Sequence, residues 1–153
     1  MTFSTGVAAA LEKVTIRTEA FINGEFTPAK SGETLPCISP IDGSEIARLS
    51  ACDAADIELA VNAARTSFES GVWSKLPPRK RRQTMLDFAD KVEAHADELA
   101  LLETLDMGKP IRNTRNADIP LVVQTIRYYA EAIDKIYDEI GPSPHDAVSM
   151  IVR

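Results

Sequence analysis

The side chains best suited to chemistry in this 153-residue chain are few and scattered. Arg79-Lys80-Arg81-Arg82 gathers four cations at the start of a helical pattern. There they oppose the helix dipole, which favours a compensating partner. With 17 Lys and Arg against 23 Asp and Glu, a net charge of -6, a solvated face is the simpler reading. His95 and His145 have no second ligand at helical spacing, whereas zinc needs three or four N, S or O ligands in close array. Cys37 falls in a strand pattern and Cys52 just before a helix cap, with no CxxC or metal-ligand spacing and no neighbouring His to activate a thiolate. Neither reads as a nucleophile. Glu98, Glu103 and Asp106 read as solvent-facing acids. There is no GxGxxG and no P-loop.

Size and charge narrow the class further. The length suits one ordinary domain, and the composition is that of a soluble globular protein. The acidic balance argues against a nucleic-acid partner, since phosphate binding needs a basic surface. No apolar run approaches bilayer-spanning length, and Met1–Leu11 lacks the basic start of a secretory signal. Two unpaired cysteines fit a reduced, cytoplasmic protein with no membrane partner.

The elements that would position any site are clearer. Around Leu102–Ile111 a helix ends by design: Leu102 and Leu105 continue an apolar spacing, Gly108 can take φ > 0, Lys109 faces the negative end of the dipole, and Pro110 blocks resumption. Before it, residues 1–17 show only a short helical pattern at Val7–Lys13. Thr18–Ile22 and Glu25–Thr27 flank Asn23-Gly24, a strong type I′ hairpin signal. Thr34–Ser39, kept at an edge by Pro36, and Ser44–Leu49 read as strands. Asp53 caps a helix, with Asp56 in the capping-box position, and Ile57, Val61, Ala64 and Phe68 form its apolar face until Gly71. After a connector carrying Trp73, Pro78 opens a second helix with the stripe Met85, Phe88, Ala89, Val92 and Ala96. Asp97 caps a third, with Leu99, Leu102 and Leu105 facing inward. Ile111–Ala117 reads as a polar connector, and Asn116 or Asp118 as the cap of a fourth helix. Its stripe Val122, Ile126, Tyr129, Ile133, Ile136 and Ile140 runs over about five turns. Gly141-Pro142-Ser143-Pro144 stops it, and Ala147–Val152 alternates as a terminal strand without a local partner. From the residues alone this is an α/β or α+β domain without a catalytic constellation.

Several short stretches, in order, carry a resemblance: Phe21-Ile22-Asn23-Gly24-Glu25, Ser39-Pro40-Ile41-Asp42-Gly43, Ala60-Val61-Asn62-Ala63-Ala64-Arg65, Leu102 through Pro110, Ile126-Arg127-Tyr128-Tyr129-Ala130 and Met150-Ile151-Val152-Arg153. Together they resemble the N-terminal part of the NAD(P)-dependent aldehyde dehydrogenase superfamily, nearest the bacterial branch acting on γ-aminobutyraldehyde and its γ-glutamyl derivative. The resemblance implies an α/β fold of short N-terminal β-hairpins, about four helices and a terminal strand of the oligomerisation arm. On this reading 1–17 is a lead-in, 18–141 the first part of the cofactor-binding domain and 142–153 the start of the arm. The catalytic domain, with its nucleophilic Cys, general-base Glu and oxyanion Asn, would lie past Arg153, so the chain alone is expected to be inactive. The parent would use NAD or NADP, oxidise a small-molecule aldehyde and form a homo-oligomer, a dimer or tetramer. The resemblance also implies that the backbone carbonyls of Cys37, Ile38 and Asp106 help hold Na⁺ or K⁺, and that Ala117 and Leu121 line the aldehyde tunnel, although Leu121 could equally be core. The alternative is a free-standing, non-catalytic helical binding module derived from the family.

Overall fold

In the computed structural model, which describes residues 9–152, the Asn23-Gly24 turn has φ of 53° and 87°, as a type I′ hairpin requires. It joins β1 (Ala20–Ile22) to β2 (Glu25–Thr27), with Phe21 opposite Phe26 at 5.1 Å between ring centroids. Residues 9–11 are helical, and the rest of the short helix expected near the start lies outside the described residues or in turns. β3 (Thr34–Ile38) pairs antiparallel with β4 (Glu45–Ser50), and the register slips between Cys37 and Ile38. Pro36 is tolerated because each strand of this two-stranded sheet keeps one free edge. The turn between them is tied by side chains. Ser39 is buried, and its Oγ accepts the Ile41 N–H at 3.2 Å. Asp42 accepts the hydroxyl of Ser44 at 2.7 Å and its N–H at 3.1 Å, which holds the Asp42 carboxyl below its usual range.

α1 (Ala54–Ser70) begins with the expected capping box. Asp53 accepts the Ala55 N–H at 2.8 Å, and Asp56 returns the favour to the Asp53 N–H at 3.0 Å. The second oxygen of Asp56 accepts the Lys30 N–H at 3.0 Å, so one buried carboxylate ties the helix start to the loop after β2. The predicted apolar face of α1 exists but is bare: Ile57, Val61 and Phe68 are more than half exposed.

α2 (Pro78–Ala94) and α3 (Ala96–Met107) meet at His95, whose N–H reaches the carbonyls of Lys91 and Val92. Asp97 therefore sits inside the first turn of α3, with no capping hydrogen bond, rather than at its N-cap. Phe88, expected in the buried stripe of α2, points largely to solvent. The residues expected to form a connector are helical instead. α4 (Ile111–Asn113) runs into a π-helical turn, Thr114–Asp118, and then into α5 (Ile119–Ala132), with no side-chain cap at Asn116 or Asp118. Pro120 accounts for this path. It has no N–H to offer Asn116, and its ring would press on that carbonyl in a regular α-helix; the wider π turn gives way there.

The core lies where α2 runs antiparallel along α5, with the start of α3 closing it: Ala89 and Val92 from α2, Ile119 and Val123 from α5, Ala96 and Ala100 from α3, with Leu99 and Ile126 packed beside them. Fully buried alanines at Ala89 and Ala130 allow close approach of the helix backbones. α5 stops at Ala132, about two turns short of the expected stripe. Arg82, near the start of α2, already pairs with Glu131, so a longer α5 would have no α2 surface left to cover it. Ile140 instead enters β5 (Glu139–Gly141), which pairs antiparallel with β6 (Ser149–Ile151), Ile140 opposite Met150. The terminal strand thus has a local partner after all; β-branched isoleucines suit a strand once no helix face receives them.

The chain exposes 11,434 Å². A compact monomer of its 16.7 kDa mass should expose only about 7,600 Å². None of the described helices is long and apolar enough to cross a membrane.

Candidate functional site

The helix stop at Gly108 follows one expected site residue, Asp106, and leans on the turn that follows two others, Cys37 and Ile38. Gly108 has φ of 69°, and its N–H returns to the Thr104 carbonyl. A Cβ placed on it lies 3.1 Å from Cγ of Pro40 and 3.8 Å from Ile41. The end of α3 is thereby pressed against the turn that leaves β3. Cys37 and Ile38 sit at the end of β3, at the register slip, and Asp106 sits in the last turn of α3. The Asp106 carbonyl would look to residue 110 for an N–H, and Pro110 has none. Main-chain oxygens are the donors a hard monovalent cation takes.

Beyond the stop, two polar links fasten the π turn. Lys109 pairs with Asp118. Thr114 is fully buried, and its hydroxyl donates to the Ile111 carbonyl at 3.1 Å. Its single proton is then committed, so the 2.9 Å contact with Thr104 has the Thr104 hydroxyl as donor. Ala117 lies in the π turn, and Leu121 follows four residues later; both are exposed, Leu121 by 60%. Among the described residues Leu121 is therefore not core.

A groove of about 620 Å³ opens beside α5, with Ala96, Ile119 and Val123 at its floor. Its charged rim is internally paired. Arg115 meets Asp97, and Arg127 meets Asp90 at 2.8 Å and Glu93 at 2.7 Å. Within the four-cation run Arg82 has a partner: Glu131 accepts from it, which raises the Arg82 pKa and lowers that of Glu131. These pairs occupy the charges that an ionic ligand would need.

Cys37 and Cys52 are free thiols, and no group of three His, Cys, Asp or Glu able to hold a metal occurs among the described residues. The three sheets are antiparallel pairs, with no parallel βαβ unit and no glycine-rich phosphate turn among the described residues. The lock made by Thr104, Thr114, Lys109 and Asp118 escaped the sequence reading. Two threonines ten residues apart carry no pattern; only Pro120, so soon after the expected cap, hinted at an irregular turn.

The architecture is α/β: three antiparallel strand pairs and a helical layer, with one covered helix pair and several bare faces among the described residues. Residues 26–153 match the aldehyde dehydrogenase family, and the chain belongs to that family. It is 46% identical over 138 residues to the NADP/NAD-dependent aldehyde dehydrogenase PuuC of Escherichia coli, covering 90% of this chain and 28% of that protein. A mutant of the Pseudomonas syringae indole-3-acetaldehyde dehydrogenase AldA, in complex with NAD⁺ and IAA, superposes with a TM-score of 0.88 at 47% identity, over 98% of this chain and 30% of its own. The γ-glutamyl-γ-aminobutyraldehyde dehydrogenase of Burkholderia cenocepacia follows the same fold, with a TM-score of 0.85 at 42% identity, over 92% of this chain and 29% of its own. The chain spans less than a third of the length of each of these relatives. The β-hairpins, helices and terminal strand expected of the family's N-terminal region are those described above.

Proposed function

We propose that these residues form the N-terminal portion of an NAD(P)-dependent aldehyde dehydrogenase that oxidises an aldehyde to a carboxylic acid through a cysteine thiohemiacetal. The observation that carries this reading is the match of nearly the whole chain, in sequence and in fold, to enzymes of that activity. The surplus of exposed surface agrees with it, because bare faces of this size are what partner domains cover. Neither Cys37 nor Cys52 is the nucleophile on this reading, and the cofactor is held by residues outside this chain. The 153 residues by themselves are inactive.

Within the parent, Ala117 and Leu121 form part of the wall of the aldehyde tunnel. Their exposure and their spacing of four residues place them on one face of the helical path. The carbonyls of Cys37, Ile38 and Asp106 contribute to a Na⁺ or K⁺ site, supported by the contact of Gly108 with the Pro40 turn and by the missing N–H of Pro110. Residues 18–141 belong to the cofactor-binding domain, and 142–153 begin the arm through which a homo-oligomer assembles. Amino-substituted aldehydes such as the γ-glutamyl-γ-aminobutyraldehyde of one relative are the substrate class, and the two free thiols suit a reducing cytoplasm.

The test is a pair of assays of reduced-nicotinamide formation from an aldehyde. A full-length enzyme bearing these residues turns over; the isolated 153-residue polypeptide does not. Turnover by the isolated chain, or its absence in the full-length protein with both NAD⁺ and NADP⁺, refutes the reading.

A further inference from the structure

The π turn before α5 is a device, and the lock around it explains its use. At Thr114–Asp118 the hydrogen bonding lengthens by one residue, and the Ile119 N–H returns to the Thr114 carbonyl five positions back. An extra residue in a helix turns everything after it by about 100° about the axis, the angle that one residue occupies at 3.6 per turn. The face that α5 presents to α2, through Ile119 and Val123, and the face it leaves open, with Leu121, are therefore both set by whether this turn stays π. A π turn is ordinarily a high-energy irregularity, and here three features converge on it. Pro120 disfavours the regular alternative. Thr114, buried completely, anchors the turn to the Ile111 carbonyl and to the Thr104 hydroxyl on α3. Lys109, one residue past the helix stop, pairs with Asp118 at the turn's far end.

We propose that Thr114, held by Thr104, is a positioning residue: it locks the π turn and thereby sets the rotation at which Leu121 faces the aldehyde. The inference rests on the reading of Leu121 as tunnel wall. Substituting Thr114 removes no atom from that wall. It releases the turn and lets α5 sample rotations in which Leu121 no longer projects in one direction.

The test uses a full-length enzyme bearing these residues, with hexanal and acetaldehyde as probes. Leu121→Ala is the direct control, and should change the hexanal-to-acetaldehyde ratio of kcat/KM about tenfold, the scale on which a pocket discriminates apolar bulk. Thr114→Val removes the hydroxyl at nearly constant volume. It should move the same ratio at least about threefold, chiefly through KM for hexanal, while Thr114→Ser restores it. A general loss of folded protein lowers both activities together and leaves the ratio unmoved. Should Thr114→Val fail to fold, Thr104→Val removes the outer donor alone and carries the same expectation. Amide exchange at Ile119 gives a second readout, with exchange about tenfold faster in either valine variant than in the parent. If Leu121→Ala moves the ratio and both valine variants leave it unchanged, the positioning role is overturned and the tunnel reading stands. If Leu121→Ala itself leaves the ratio unchanged, the tunnel reading falls, and the positioning role with it.

Discussion

Replacing Gly108 by Ala tests the join between α3 and the turn after β3, on which the proposed cation site depends. Two costs are separable. At φ of 69° an L side chain gives up about 1 kcal/mol in the left-handed region. The new Cβ also meets Cγ of Pro40 at 3.1 Å, and a proline ring held in a turn has little freedom to retreat. Gly32 supplies the control: its φ is 70°, and a Cβ there meets nothing within 4 Å. Gly32→Ala should cost about 1 kcal/mol and Gly108→Ala about 2 kcal/mol, since overpacking adds roughly 1 kcal/mol. The gain from stiffening the unfolded chain is the same in both and cancels from the difference. In urea unfolding followed by far-UV circular dichroism, with a slope of about 2 kcal/mol/M, the midpoint falls by about 0.5 M and about 1 M respectively. Adding Pro40→Ala to Gly108→Ala should close most of the gap between the two, because the proline ring is what the new methyl strikes. Equal midpoints for the two single variants would refute the close approach of Gly108 to Pro40, and with it the structural support for joining Cys37, Ile38 and Asp106 in one site.

Other consequences follow from the same contacts. Asp56→Ala strands the N–H groups of Lys30 and Asp53 and should cost about 2–4 kcal/mol in urea unfolding, whereas Asp56→Asn, which keeps one acceptor, should cost about half of that. Glu131 has its pKa lowered from the ordinary 4.5, first by the Arg82 hydrogen bond, so its contribution is complete above about pH 4.5 and is lost as pH falls through the lower folded value. Acid titrations by circular dichroism should therefore show Glu131→Gln already without this contribution at neutral pH and its curve converging on the parent's in acid; curves that stay parallel throughout would contradict the pair. Ala89→Leu forces a large side chain between α2 and α5, where Ala89 and Ala130 are both fully buried, and should lower the thermal midpoint by several degrees. The isolated chain should bind the dye ANS strongly through the bare faces bearing Ile57, Val61 and Phe68, and a full-length protein should not; weak binding by the chain would contradict those exposures.

What could be read from the sequence was what a few neighbouring residues decide. Asn23-Gly24 needs only its own two φ angles, the Asp53–Asp56 box only its own turn, and the stop at Gly108 only the chemistry of three consecutive residues. Each stands in the structure where it was expected. What could not be read was decided by something opposite. The stripe from Val122 to Ile140 satisfies helical spacing throughout, yet α5 ends where the antiparallel α2 begins, as the pairing of Arg82 with Glu131 marks. The face of α1 is correctly apolar and correctly periodic, but periodicity names a face and not its neighbour, and Ile57, Val61 and Phe68 stay more than half exposed among the described residues. Thr104, half-buried, and Thr114, fully buried, meet at 2.9 Å in the candidate site and are silent in sequence, because their meeting depends on the path between them. The family was legible for a different reason. Six short motifs occur in order along the chain, and all but the first lie in the stretch that matches the family. Motif order therefore carried information that side-chain chemistry could not: no catalytic constellation is legible among these residues, yet the order of the motifs marks the family.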